Sequence, residues 1–379
     1  MKILAVETSC DDTGIAILEA KNKKFTVLSS IVSSQQIHAN YGGVFPMMAK
    51  REHQNNLVPV LSHALKEATL LRSKSSKQIP DSKLQILKKI LEKESNLFEN
   101  VKEFLQTHEK PKVNMIAVTH GPGLEPCLWV GVNFAKALSI AWDIPITPVN
   151  HIEAHILVNY LQNPKIKFPA ISLVVSGGHT QLIVIKGIGK YKIIGETRDD
   201  AAGECFDKCA KLLGLGYPGG PIISKLAADV RLPLTSGSRT SVKLPRPMIN
   251  TKDYDFSFSG LKTAVLYEVK GKELTKEYIG QMCVAIENAI VDVLLKKTLQ
   301  ATKDFKAKTI ILGGGVSANK ELRKQLAEKI QREIPNTQYL IPDTALSTDN
   351  GLMIAVAAYF NRANKKRWQS LKANANLRI

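Results

Sequence analysis

Residues 2–18 read KILAVETSCDDTGIAIL, and residues 170–185 read AISLVVSGGHTQLIVI. Each is an apolar run rich in β-formers, a short polar turn, then a second apolar run, which is the pattern of an antiparallel hairpin. Each opens one half of the chain. In each half a further strand-like run precedes a helical period: 116–118 before 125–142, and 309–312 before 318–333. One design used twice predicts an α/β protein of two similar lobes with a cleft between them.

At 379 residues the chain is long enough for two such lobes. The formal charge is +18, which favours a polyanionic partner: nucleic acid, or an anionic membrane face. A basic balance can also simply reflect a compartment such as the mitochondrial matrix. No run of 18 apolar residues is visible, so no membrane span is expected. The chain begins directly with a strand-like run, and neither a secretory signal nor a transit peptide shows. The five cysteines include no C-x-x-C pair and suggest a reducing compartment. Cys205 and Cys209, four apart, read as small apolar packing residues.

Three motifs carry chemistry. Asn150-His151-Ile152-Glu153-Ala154-His155 sets two imidazoles one helical turn apart on one face, where they can grip one metal ion. The plainer account is a pair of surface or capping histidines. The glycine turn at 174–180, VVSGGHT, lets backbone N–H groups approach an oxyanion. Gly313-Gly314-Gly315 follows the buried run TIIL and precedes a helix, the geometry that turns N–H groups and a positive dipole end toward an anion. Ser317 is the expected N-cap there; close packing is the competing use of the glycines. Residues 71–112 are rich in lysine and serine and read as a surface insertion. Arg239, Lys243 and Arg246 could line a phosphate-binding rim, and Trp368 could stack on a base.

Taken in order, ETSCDDTGIAI, the Gly42–Pro46 segment with Arg51 and His53, HIEAH, VVSGGHT, DDAAGECFDKCAKLLGLGYPGGP, FSFSGLKT, GGGVSANKELR and STDNGLMIA resemble the tRNA N6-adenosine threonylcarbamoyltransferase family. The resemblance spans the chain apart from the insertion near 72–112. It implies the actin-like, sugar-kinase-like ATPase fold, each lobe a ribonuclease-H-like mixed sheet with helices. The lobes are then 1–149 plus about 350–379, carrying the insertion, and 150–349. The implied reaction moves the threonylcarbamoyl group from threonylcarbamoyl-adenylate to N6 of adenosine 37 in tRNAs reading codons that begin with A, releasing AMP.

By the same resemblance His151, His155 and Asp349 hold a divalent metal, Zn or Fe. Val174, Val175, Ser176, Gly177, Gly178, Asp207, Gly220 and Asn319 match the substrate- and nucleotide-binding positions, and ATP or AMP would use the same site. Asp349 also reads as a helix N-cap; Thr348 is then the alternative cap. From its place in the first hairpin turn, rather than from the resemblance, Asp11 is the candidate to remove the N6 proton; the alternative is that Asp11 and Asp12 only shape the turn or bind a cation. The acidic residue usual after the proline of the GGV-x-P segment is replaced by Met47. The partner is the anticodon arm of tRNA. The high charge and the lysine-rich insertion look like the mitochondrial, stand-alone homodimeric type, acting in the matrix without accessory proteins; the cytoplasm is the other location.

Two rival readings are weaker. A zincin peptidase needs H-E-x-x-H, whereas Glu153 lies two residues after His151, about 200° round the helix. A sugar kinase of the same fold, or a non-catalytic nucleic-acid scaffold, leaves either the charge or the metal motif unexplained.

Overall fold

The structure is a computed structural model and describes residues 1–74, 79–231 and 242–379. The chain divides into two compact units: Met1–Gln36 with Val44–Pro164 and Asp349–Ile379, and Ile37–Gly43 with Lys165–Thr348.

Unit 1 begins with β1 (Lys2–Glu7), β2 (Asp12–Lys21) and β3 (Lys24–Ser34), followed by α1 (Pro46–Glu67), α2 (Asp81–Ile90) and α3 (Ser95–Thr107). It continues through β4 (Met115–Gly121), α4 (Glu125–Trp142), β5 (Ile146–Asn150) and α5 (His151–Leu157). Its sheet runs β3-β2-β1-β4-β5, antiparallel from β3 to β1 and parallel from β1 to β5. Unit 2 holds β6 (Ala170–Val175), β7 (Thr180–Gly187), β8 (Lys190–Glu196), α6 (Ala202–Leu212), α7 (Gly219–Arg231), α8 (Ser259–Val269), α9 (Lys276–Asp304), β9 (Thr309–Gly313), α10 (Lys320–Glu333), β10 (Gln338–Leu340) and α11 (Thr344–Ser347). Its sheet, β10-β9-β6-β7-β8, repeats the same mix of directions. The chain then re-enters unit 1 as α12 (Gly351–Phe360). This is the expected doubled, actin-like α/β fold, and both predicted hairpins are present with β1 paired to β2 and β6 to β7.

The unit boundaries fall elsewhere than at 149/150 and 349/350. Residues 150–164 and Asp349 belong to unit 1. The reason is local: β5 runs straight into α5, and α5 packs on α12. The insertion also differs from expectation. Leu87 and Leu91 of the α2 region, with Leu97, Val101, Phe104 and Leu105 of α3, are buried in unit 1's core. Each contributes about 2 kcal/mol by leaving water. Lysines on the outer faces hid that stripe, while residues 75–78 of the insertion lie outside the described residues. Among the described residues α9 is the one helix long and apolar enough to cross a membrane. It is instead a core element of unit 2, burying Met282, Ile286, Ile290 and Leu294.

Candidate metal centre and nucleotide-binding turns

In unit 1 the parallel strands β1, β4 and β5 end side by side, and the chemistry collects at their carboxyl ends. Asn150 closes β5 and caps α5, its Oδ1 accepting from Ile152 N at 2.9 Å and Glu153 N at 3.1 Å. A cap fixes the first turn, and so fixes where His151 points. Asp349 arrives from the far end of the sequence through a close contact between two backbones. A Cβ on Gly14 of β2 would lie 2.8 Å from Gly351 N, and one on Gly351 would lie 2.5 Å from Ala16 N. Only glycine at both positions lets α12 begin directly on β2. The cap of α12 is neither Asp349 nor Thr348 but Asn350, whose side chain accepts from Met353 N at 3.0 Å. That leaves the Asp349 carboxylate for the histidines.

The geometry fits a shared ion. His151 Nε2 and His155 Nε2 are 3.2 Å apart, and Asp349 Oδ1 lies 3.5 Å from the first and 3.2 Å from the second. Two imidazoles each about 2.0–2.1 Å from one zinc-like ion hold their nitrogens roughly 3.0–3.4 Å apart. His151, His155 and Asp349 are the group that could hold a metal ion among the described residues.

The sequence reading missed what orients this set. Glu7, fully buried at the end of β1, places Oε2 3.3 Å from His151 Nδ1. Ser9 Oγ is 3.2 Å from the same nitrogen. A carboxylate only accepts, so Nδ1 carries the proton and Nε2 keeps its lone pair for a cation. Glu7 also accepts from Ser9 N and Thr119 Oγ1. The signal was a glutamate closing an otherwise apolar strand. Two carboxylates converging on two imidazoles leave net negative charge in a buried place, which calls for a cation. Burial pulls the His151 pKa down, but Asp349 and then Glu7 outweigh it and hold it up at about 9; burial keeps His155 below its ordinary value. Uptake of a metal therefore displaces protons. Glu153 is occupied elsewhere, accepting from Asn361 Nδ2 at 2.6 Å.

Asp11 and Asp12 lie at the β1–β2 turn of this same unit. His53 of α1 pins the turn, its Nε2 2.9 Å from Cys10 O and its Nδ1 2.8 Å from Thr13 Oγ1. Burial, then the charge on Asp349, pushes Asp12 up to about 7 against a hydrogen bond from Ser34. Because the folded pKa exceeds the ordinary one, the stability contributed by protonating Asp12 is complete below the unfolded pKa and is lost as pH rises through about 7. Asp12→Asn is expected to raise the melting temperature clearly at pH 8.5 and little at pH 4 in chelator-treated protein. Added divalent ion should narrow the gap by neutralising Asp349. Calorimetry at the two pH values checks this; an equal shift at both would overturn it. Met47, where an acid was expected, is 60% exposed in the first turn of α1.

In unit 2 the parallel strands β6 and β9 end together at the two glycine turns. Val174 and Val175 are fully buried and paired within the sheet, to Gln181 and Gly313 and to Thr180 respectively, so their side chains anchor the turn. The turn proper is Ser176-Gly177-Gly178, closed by Ser176 N donating to His179 O at 2.8 Å. A Cβ on Gly177 or Gly178 would meet open space. A Cβ on Gly203, near the start of α6, would lie 2.6 Å from Ser176 O, so that helix begins against the turn. Gly314 has φ +84° and its missing Cβ would overlap Val175 O, which is the close-packing use; Gly315 beside it is open.

Asp207 accepts from Gly219 N at 2.7 Å, joining α6 to the start of α7. Gly220 is open apart from Phe206 Cβ at 3.8 Å from a built Cβ. Asn319, not Ser317, caps α10, accepting from Leu322 N at 2.7 Å. Its Nδ2 donates to Ser224 Oγ and Glu287 Oε1, each at 2.7 Å, so both amide hydrogens are engaged within unit 2. Glu287, buried and bonded at 2.5 Å to Arg231 Nη1, was also missed; a glutamate inside a long apolar helix was its signal. Of the expected phosphate rim, Arg239 lies outside the described residues, Lys243 is exposed, and Arg246 is paired with Asp292 at 2.9 Å. Trp368 is half-buried. Cys205 and Cys209 are buried in unit 2's core, as expected.

A sequence profile described as TsaD, tRNA N6-adenosine threonylcarbamoyltransferase, matches residues 26–76 and 93–356. The break leaves out α2 but includes α3, so the true insertion is shorter than 72–112. Proteins named tRNA N6-adenosine threonylcarbamoyltransferase from Persephonella marina and Thermosipho africanus are each 40% identical, over 100% of this chain and 96% and 100% of theirs. One from Porphyromonas gingivalis is 38% identical, over 94% of this chain and 92% of its own. Full-length HypF, in its phosphate- and nucleotide-bound form, aligns over 96% of this chain and 46% of its own with TM-score 0.52 and 13% identity. Component A of the Acidaminococcus fermentans (R)-2-hydroxyglutaryl-CoA dehydratase aligns over 96% and 99% with TM-score 0.50 and 12% identity.

Proposed function

This chain belongs to the tRNA N6-adenosine threonylcarbamoyltransferase family, and from that premise we propose that it transfers the threonylcarbamoyl group of threonylcarbamoyl-adenylate to N6 of adenosine 37 in tRNAs reading codons that begin with A, releasing AMP. The observation that carries this reading is the converging set His151, His155 and Asp349, with Glu7 behind His151. Softer peptidase chemistry finds no support, since Glu153 is held by Asn361.

His151, His155 and Asp349 would hold a divalent ion, Zn or Fe by the donor set of two imidazoles and one carboxylate. When bound, such an ion supplies Lewis acidity toward substrate oxygens. The chain's own residues do the rest. Glu7 fixes the His151 tautomer. The open backbone of Gly177-Gly178 offers N–H groups to the phosphate and carbamoyl oxygens, with the start of α6 behind the turn. Asp207 serves the ribose and Gly220 the nucleoside face, and ATP or AMP would use the same positions. The N6 amine is a weak nucleophile, so positioning supplies much of the rate. Asp11 takes its proton, and Asp12, poised near neutral pH, is the neighbour that tunes it. The charge of +18 supports a tRNA partner and a stand-alone homodimer of the mitochondrial matrix.

The deciding assay incubates an unmodified tRNA of this class with purified protein and freshly made threonylcarbamoyl-adenylate, then reads nucleosides by mass spectrometry. Threonylcarbamoyl-adenosine is expected with nothing else added. Product only with accessory proteins would keep the chemistry and overturn the stand-alone reading; no product in either case would overturn the function.

A further inference from the structure

After α12 the last 19 residues, 361–379, carry six cations (Arg362, Lys365, Lys366, Arg367, Lys372 and Arg378) and no acid. They supply a third of the net charge in a twentieth of the chain. All six are exposed. Lys365, Lys366, Arg367 and Lys372 enter no ion pair among the described residues.

The segment is held by its backbone instead. Lys366 N donates to Ile146 O at 3.0 Å, Asn374 N to His120 O at 2.7 Å and Gly123 N to Ala375 O at 3.3 Å. Asn150 Nδ2 donates to Arg378 O at 3.3 Å. A Cβ on Gly121 would overlap the Asn374 carbonyl, so glycine is required where the segment crosses the end of β4. These anchors run from the start of β5, where Lys366 pairs antiparallel with Ile146, to the carboxyl ends of β4 and β5, where Asn150 is also the cap that sets His151. The segment is thus fixed on unit 1 along β5 toward the helix that carries His151, and Lys365, Lys366, Arg367 and Lys372 enter no ion pair there among the described residues.

Resting on the transferase reading above, we propose that residues 361–379 form the surface of unit 1 that takes the sugar–phosphate backbone of the tRNA. A run of exposed, unneutralised lysine and arginine matches regularly spaced phosphates, which position a nucleic acid without reading its sequence. Crowding of like charge agrees: after burial, Lys372 lowers the Lys136 pKa and Lys366 lowers that of His120. An anionic membrane fits less well. A membrane-binding segment shows apolar side chains to solvent, whereas Leu371 is buried and Trp368 and Leu377 are half-buried.

The test compares wild type with the full-length variant Lys365→Ala/Lys366→Ala/Arg367→Ala/Lys372→Ala. At 150 mM salt the tRNA Kd should weaken at least about tenfold, and the slope of log K against log salt should become shallower by about 3. Binding of threonylcarbamoyl-adenylate and bound-metal content should not change. A charge-keeping variant, Lys365→Arg/Lys366→Arg/Arg367→Lys/Lys372→Arg, should behave as wild type. Unchanged tRNA affinity and slope, with wild type making product, would overturn this surface and leave the function standing. Loss of tRNA binding in the charge-keeping variant would also overturn it, since shape rather than charge would then matter. Tighter binding to phosphatidylglycerol vesicles than to tRNA would assign the surface to a membrane. Wild type that neither binds tRNA nor makes product would fail the function itself.

Discussion

His151→Ala is expected to lower threonylcarbamoyl transfer by about 10³-fold or more and to leave the purified protein without stoichiometric metal. The substitution removes one of three donors that lie within 4.8 Å of one another. It also leaves Glu7 buried and facing a gap where the Nδ1–H had been. The rate estimate follows from the several kcal/mol a Lewis-acidic ion supplies, at 1.36 kcal/mol per decade. Metal analysis and single-turnover rates measure the two effects separately. Full activity with metal lost would show that the centre is structural; full metal content would show that His155 and Asp349 suffice.

The second large effect concerns a residue that touches no substrate. Glu7→Gln should weaken metal affinity by about 10- to 100-fold, the range found when the partner of a ligating histidine is removed. The isostere keeps the volume, so the argument is one of hydrogen-bond direction. Glu7 Oε1 faces Ser9 N, while Oε2 faces Thr119 Oγ1 and His151 Nδ1. All three act as donors toward it. An amide placed either way puts its NH2 against a donor, at a cost of about 1–3 kcal/mol for the group left unpaired. Titration of the stripped protein with Zn²⁺, alongside a chelator of known affinity, reads the change. Wild-type affinity in Glu7→Gln would show that the His151 ring is held by its packing alone.

Much of this was legible in the chain because the signals were local. The hairpins at 2–18 and 170–185 declared both sheets, and the spacing of His151 and His155 put two donors on one helical face. Elsewhere the decisive contacts come from far along the sequence. Glu7 reads as the end of an apolar strand until β4 and β5 bring Thr119 and His151 to it. Ser317 and Thr348 were reasonable caps by type, yet α10 and α12 begin later, at Lys320 and Gly351, so Asn319 and Asn350 stand at the cap positions and accept from Leu322 N and Met353 N. The buried leucines of the α2 region were masked by its lysines, and Val174 and Val175 lie in the strand that leads into the glycine turn.

Unit 1 is discontinuous: its chain departs after Pro164 and returns at Asp349. This has a consequence for how the protein is made. Unit 2 comes almost wholly from one unbroken stretch and is free to fold as soon as it has been synthesised. The metal centre is not. Its histidines emerge early and wait, with Glu7 beside them, until nearly the whole polypeptide exists to deliver the third ligand. On the function proposed above, metal acquisition is then the closing event of biosynthesis. Any chain cut short before α12 is a protein with a complete second unit and an unfinished centre.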